Sequence, residues 1–210
     1  MITDKKLFKL ALLSLAVFCL AHARFSFGEQ PMEQLKNTVQ RHTQLLQEAK
    51  ANSSASKAET AQAIRENLLP RVDFAEMAKQ SLGSYWKNLD GRQADFVSIF
   101  TDFVASSYMT TLEAYRGEKI VYLGERMNRD LAQVDTQIVM SKGDPLPVSY
   151  LLHLTADDWK IYDVVIDNIS LVSNFRSQFS RILAKASFDE LLGKMREKRS
   201  GPPGEKANDK

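Results

Sequence analysis

The feature that most constrains the fold is a block of period-two hydrophobicity that begins after Gly117. In its clearest part, every second residue from Val148 to Leu154 is large and apolar. The connections within the block are short, as in Asn128-Arg129-Asp130, and connections this short join neighbouring antiparallel strands. We expect a four-stranded antiparallel meander with one apolar face and one largely polar face. The four predicted strands are residues 119–126, 131–141, 145–154 and 158–166.

Before this block, apolar residues recur with the period of an α-helix. Pro31 opens the first predicted helix, Ser56 caps the second, and Asp73 caps a third that Gly83 ends. A fourth helix, with an unusually aromatic stripe, is predicted over residues 90–116.

Two more helices are predicted after the block. Asn168 is expected to turn the chain through the left-handed conformation into a helix that carries the apolar stripe from Leu171 to Leu183, and a short helix over residues 188–196 follows. With helices gathered on the apolar face of the sheet, the predicted fold class is α+β. We expect one domain over residues 24–199 and a disordered tail over residues 200–210.

The first 23 residues have the form of a secretion signal. Three lysines precede an apolar run over residues 10–20, and Ala21-His22-Ala23 supplies the small residues that signal peptidase requires. The run is about half the roughly 20 residues that cross a bilayer, which favours cleavage after Ala23 over a retained anchor. We therefore expect export from the cytoplasm.

Removal of this segment changes the charge balance. It takes three lysines and one aspartate from totals of 28 basic and 26 acidic residues, which leaves a formal net charge of zero. A neutral chain lacks the basic footprint of a nucleic-acid-binding protein. Cys19 leaves with the signal, so no disulfide is expected.

Catalytic patterns are scarce. His42 and His153 lie far apart in segments of different type, and we interpret both as solvated histidines. No serine lies in a G-x-S-x-G turn, no glycine-rich loop precedes a helix, and no His or Cys has metal-ligand spacing. We expect neither an enzyme nor a bound metal or cofactor.

The stronger signal is an excess of apolar residues on surfaces predicted to face each other, the aromatic helix and the apolar side of the sheet. Such stripes are what any α+β domain needs for its core. The pattern by itself fits a filled core and a lined cavity equally well.

The same residues carry a resemblance to the MlaC family of periplasmic phospholipid-binding proteins, also known as toluene-tolerance proteins. The motifs are D-F-A-E-M-A from Asp73, L-G-S-Y-W from Leu82, W-K-I-Y-D-V-V-I from Trp159, S-L-V from Ser170 and F-R-S-Q-F from Phe175. The resemblance covers roughly residues 31–198. The sequence departs from the family pattern at two places. Residues 89–93 lack the T-P-E-Q-R-like helix opening, and Asn168 stands where family members commonly have glycine.

What this resemblance implies is a monomeric carrier that moves glycerophospholipid between the inner and outer membranes of a Gram-negative envelope and so maintains outer-membrane lipid asymmetry. The implied partners are an inner-membrane Mla ABC transporter complex and an outer-membrane Mla lipoprotein–porin complex. The acyl chains are expected to lie between the sheet and the helices. By face, the candidate lipid-binding residues are Phe74, Met77, Leu82, Tyr85, Trp86, Phe100, Phe103, Tyr108, Val148, Tyr150, Leu152, Tyr162, Val164, Ile166, Leu171 and Phe175.

Within the last strand, strict alternation predicts that Tyr162, Val164 and Ile166 face this pocket. The opposite face would then hold Trp159, Ile161, Asp163 and Val165, with Asp163 as a structural acid bonded to an arginine or a backbone amide.

Three alternatives remain at this point. The chain could carry another envelope lipid, such as a hopanoid. It could be an envelope adaptor with a filled core that binds proteins through the polar face of the sheet. A hydrolase is a third, more distant reading, because no nucleophile–base pair is visible.

Overall fold

The computed structural model describes residues 30–51, 57–114, 118–140, 143–156 and 158–200. The predicted signal peptide, and the predicted tail beyond Ser200, lie outside this range. Six α-helices occur in the described part of the chain, and none of them is long and apolar enough to span a membrane. Their bounds are α1 Pro31–Ala51, α2 Lys57–Leu68, α3 Phe74–Leu82, α4 Gln93–Ala114, α5 Leu171–Leu183 and α6 Phe188–Ser200, with 3-10 turns at Leu69–Arg71 and Gly83–Asn88.

The sheet is an antiparallel meander with strand order β1-β2-β3-β4-β5. The predicted α+β class is confirmed, and the strand count is five instead of four. The bounds are β1 Lys119–Asn128, β2 Leu131–Val139, β3 Leu146–Thr155, β4 Asp158–Ile166 and β5 Ile169–Ser170.

Local sequence signals set the ends of the helices. The side chain of Asp73 accepts a hydrogen bond from the Glu76 amide at 2.9 Å, as expected of an N-cap. Gly83 ends α3 at φ 57°, and the Arg176 side chain lies 3.5 Å from the position of an added Cβ. That distance is an ordinary van der Waals contact, so it is the positive φ that favours glycine there.

Asn168 adopts the left-handed conformation that its side chain suggested, at φ 63°. Together with Asp167 it forms a tight turn, but this turn leads into the two-residue strand β5 and not directly into α5. The helix begins only after Ser170, whose hydroxyl accepts a hydrogen bond from the Ser173 amide.

The buried apolar residues that the structure describes form two clusters. One lies between α1 and the sheet and contains Leu35, Ala132, Val134, Leu152, Trp159 and Ile161. The other is built by α3, α4, α5 and α6 around the buried rings of Phe96, Phe100 and Phe179. Val72 packs against both clusters, so the two halves of the molecule meet beside it.

The helical half, which contains the second cluster, is attached to β4. Val72 forms a short parallel bridge with Ile161, and the Asp73 amide donates to the Ile161 carbonyl at 2.8 Å. The buried carboxylate of Asp163 accepts hydrogen bonds from the Val172 amide at 3.1 Å and from the Ser170 hydroxyl at 2.5 Å. Asp163 is thus the structural acid that was expected, and its partners are the backbone and a serine at the start of α5.

We predict that Asp163→Asn lowers the free energy of unfolding by about 1–3 kcal/mol, because a buried charged acceptor of several hydrogen bonds loses its charge. Urea denaturation followed by circular dichroism measures the change. Asp167→Asn is the matched control, because Asp167 is exposed and its left-handed backbone suits asparagine. Equal stability of the two variants would contradict the role given to Asp163.

Candidate functional site

The apolar face of the sheet carries a strip that α1 does not fully cover. The register places Val148 opposite Ile166 and Tyr150 opposite Val164, so all four side chains share one face of β3 and β4. Val148 is buried, whereas the other three keep part of their surface exposed. The strip therefore keeps apolar surface that the described part of the chain does not fully cover.

A bulge in β4 decides which residues belong to this face. Leu151 pairs with Asp163 and Leu152 with Ile161, so Tyr162 is an extra residue with no partner on β3. As a result, Trp159 and Ile161 lie in the same cluster as Val164, contrary to the strict alternation that was predicted. The Tyr162 ring packs on the other face, 5.5 Å from that of His153.

Leu152 lies on the predicted face but is only 2% exposed. It packs in the cluster beneath α1, where protein side chains already fill the space. Leu152 is therefore better described as core than as part of an open lipid site.

Most predicted residues of the helical segments lie together in the second cluster. Met77, Leu82 and Phe100 are buried there, while Phe74, Tyr85, Trp86, Phe103 and Phe175 pack around them and stay partly exposed. The Phe175 ring lies 5.5 Å from that of Phe100 and 5.7 Å from that of Phe103. Among these residues, Phe103 and Phe175 combine a ring contact with each other and partial exposure.

Leu171, the first residue of α5, is half-buried. Tyr108 lies within α4 as expected, but its side chain is outside the residues that the structure describes.

Helix α2 connects the two halves of the candidate site. The Asn67 side chain donates to the Thr38 carbonyl of α1 at 3.2 Å. The Arg65 guanidinium pairs with the Asp102 carboxylate of α4 at 2.7 Å. The helix is thus held on one side by the element that covers the sheet and on the other by the aromatic helix.

The N-terminal end of α1 is fixed to the sheet by Gln34, which sequence reasoning did not single out. Its side-chain oxygen accepts from the Trp159 amide at 2.9 Å, and its side-chain nitrogen donates to Asp158. Arg71 also pairs with Asp158, at 2.7 Å. The signal for Gln34 in the sequence was its position next to Leu35, which lies in the apolar stripe of α1.

Both histidines differ from the solvated groups that were expected. His153 contacts the Asp73 carboxylate at 3.0 Å, so it joins β3 to the start of α3. His42 is only 8% exposed on α1, and burial lowers the pKa of its imidazole below the ordinary value of 6.5. Among the described residues, no group of three His, Cys, Asp or Glu side chains is placed to hold a metal ion.

Two surface grooves differ in character from the apolar strip. One, of about 630 Å³, runs between α1 and β1 and is lined largely by polar side chains such as Gln40, Gln44 and Gln47. Beside it, burial and the charge of Glu33 raise the pKa of Tyr122 to about 12, so its hydroxyl stays protonated at neutral pH. The other, of about 450 Å³, lies at the bulge of β1 near Leu123 and Arg126. Neither groove is lined by residues of the apolar strip.

Comparison with known proteins gives the class to which this fold belongs. Residues 36–197 match the family model described as MlaC protein. A solved phospholipid-binding protein from Ralstonia solanacearum, in complex with a phospholipid, has the same fold, with a TM-score of 0.72 at 18% sequence identity over 82% of this chain and 98% of that one.

A curated relative from Haemophilus influenzae is also similar. It is named intermembrane phospholipid transport system binding protein MlaC, and it is 26% identical over 145 residues, or 66% of this chain and 68% of the relative. Because the family model spans well over half of the sequence, the chain belongs to the MlaC family. The resemblance seen in the sequence is confirmed.

We predict that His42 makes folding less favourable as the pH falls. Its pKa is lower in the folded than in the unfolded chain, so below about pH 6.5 the unfolded chain binds the extra proton and stability drops. His42→Leu should lose less stability than the parent between about pH 7.5 and about pH 5.5. Urea denaturation across this range measures both slopes, and equal slopes would refute the assignment.

Proposed function

We propose that this protein is a periplasmic phospholipid carrier that shuttles glycerophospholipid between the inner and outer membranes. The observation that carries the proposal is the partly exposed apolar strip of Tyr150, Val164 and Ile166 in a chain of the MlaC family. The phospholipid-bound protein of the same fold and the name of the curated relative support the choice of cargo.

The size of the cargo's apolar surface explains why such a strip is needed. Burial of acyl chains is worth about 0.8 kcal/mol per methylene, so two chains of about 15 methylenes require on the order of 25 kcal/mol of shelter. Apolar contact supplies this energy without specific polar groups. Aromatic side chains such as Phe103 and Phe175 contribute large contact areas at little conformational cost.

Residues outside the described range enter the proposal through the sequence alone. We propose that residues 1–23 direct export and are removed, that residues 24–199 form the carrier domain, and that residues 200–210 form a tail. The proposed partners are an inner-membrane ABC transporter complex and an outer-membrane lipoprotein–porin complex. A formal net charge of zero after processing suits a carrier that must leave each membrane it visits.

The direct test is to identify what the protein carries. The full chain is expressed in a Gram-negative host, purified from the periplasm without detergent, extracted with organic solvent and analysed by mass spectrometry. About one phospholipid per protein supports the proposal. If a hopanoid is found instead, the proposed cargo changes from phospholipid to hopanoid. A lipid-free protein that also fails to take phospholipid from vesicles would refute the carrier function.

We predict that Val164→Asp reduces bound phospholipid by at least about tenfold, because a carboxylate in the strip must lose its water when acyl chains cover it. The partly exposed position lets the empty variant stay folded. Val139→Asp is the matched control, since Val139 is 41% exposed near the end of β2. Val164→Asp that folds and keeps its lipid would show that the strip is not the binding surface.

A further inference from the structure

We propose that the two-residue strand β5 extends the lipid site to the edge of the sheet, where Ile169 contacts the acyl chains of the cargo. The proposal rests on the carrier function above and adds a residue that governs how long the cargo is retained. Ile169 is not among the candidate residues predicted from the sequence, because the sequence predicts no strand after Asn168.

The register of the sheet places Ile169 in line with the apolar strip. Ile166 pairs with Val148 on one side and with Ile169 on the other. Directly paired residues of antiparallel strands lie on the same face, so these three side chains form one row across β3, β4 and β5. The strip therefore continues for one more strand, a distance of about 4.8 Å.

Exposure rises along this row toward the edge of the sheet. Val148 is 4% exposed, Ile166 is partly exposed, and Ile169 is 60% exposed, the largest value among the exposed large apolar side chains that the structure describes. Single exposed apolar side chains are common on protein surfaces, so this value alone means little. Ile169 differs because its row continues into buried apolar surface. An acyl chain lying on the strip thus keeps apolar contact up to the edge of the sheet.

The backbone around Ile169 is held in place. Asp167 and Asn168 both have positive φ angles, 48° and 63°, as in the type I′ turn that joins antiparallel strands most favourably. After the strand, the Ser170 hydroxyl donates to the buried carboxylate of Asp163 at 2.5 Å. The exposed side chain is therefore presented by an ordered backbone, so a ligand that covers it pays little ordering entropy.

Contact with the cargo predicts opposite effects for a more polar and for a larger apolar side chain at residue 169. Ile169→Thr keeps the β-branched shape that suits a strand but removes apolar surface, so cargo should leave about three- to tenfold faster. Ile169→Phe adds apolar surface at an exposed position, so cargo should leave about two- to threefold more slowly. A purely structural role of Ile169 would not slow release in the larger variant.

The test measures release of pyrene-labelled phosphatidylglycerol from the loaded protein, purified from the periplasm, to phosphatidylcholine vesicles. Faster release by Ile169→Thr together with slower release by Ile169→Phe supports the contact. Parental rates in both variants, or faster release by both, would overturn it.

Leu131→Thr and Leu131→Phe are the matched controls. Leu131 is 50% exposed and pairs with His153 on the opposite face of the sheet, so neither change should alter the release rate. Shifts equal to those at residue 169 would attribute the effect to general surface hydrophobicity and overturn the proposal.

Photocrosslinking decides the question if a variant at residue 169 fails to fold. Ile169→benzoylphenylalanine should form a phospholipid adduct when the loaded protein is irradiated, and mass spectrometry identifies the adduct. Leu131→benzoylphenylalanine should form none. An adduct from Val164→benzoylphenylalanine in the strip, with none from residue 169, would show that the cargo does not reach β5.

Failure of this contact is distinguishable from failure of the carrier function. If the parent protein binds phosphatidylglycerol and both variants at residue 169 release it at the parental rate, the contact is wrong and the carrier function stands. If the parent binds none, both are wrong.

Discussion

The attachment of the helical half to β4 is the constraint on which the rest of the structure depends. The two apolar clusters have little direct overlap, and Val72 is the residue that packs against both. Their relative placement therefore relies on directional contacts, chiefly the buried Asp163 carboxylate at the start of α5. A negative charge is also favourable at that end of a helix, where the unpaired amide groups carry partial positive charge. The Asp163 side chain thus orients α5 and joins the helical half to the sheet.

This arrangement separates two physical demands. The helical half is densely filled by aromatic rings, with Phe96 and Phe100 fully buried, and so supplies rigidity. The sheet half retains apolar surface that the described residues leave partly exposed, and exposed apolar surface of this kind costs stability. A protein that filled both halves would be more stable and would have nothing to offer a lipid. Under the proposed carrier function, the strip serves binding, the fully buried rings serve stability, and the partly exposed Phe103 and Phe175 contribute to both.

Local signals could be predicted from the sequence because each depends on one residue and its backbone. The Asp73 cap, the glycine at residue 83 and the left-handed Asn168 are of this kind. The bulge in β4 could not be predicted, since it depends on how two strands align. Periodicity also marks which face of α3 or α4 is buried, but not whether protein or ligand covers it. Met77, Leu82 and Phe100 were therefore predicted as candidate lipid contacts and are found in the helical core.

The bulge has a consequence for how the sequence of β4 can vary. In a regular strand, neighbouring residues point to opposite faces. Only one of Tyr162 and Asp163 could then lie on the face opposite the apolar strip. The extra residue lets both do so, one against His153 and the other at the start of α5. Gain or loss of a single residue here would disturb one of these contacts or turn the apolar strip over. The length of β4 therefore matters to these contacts as much as its composition does.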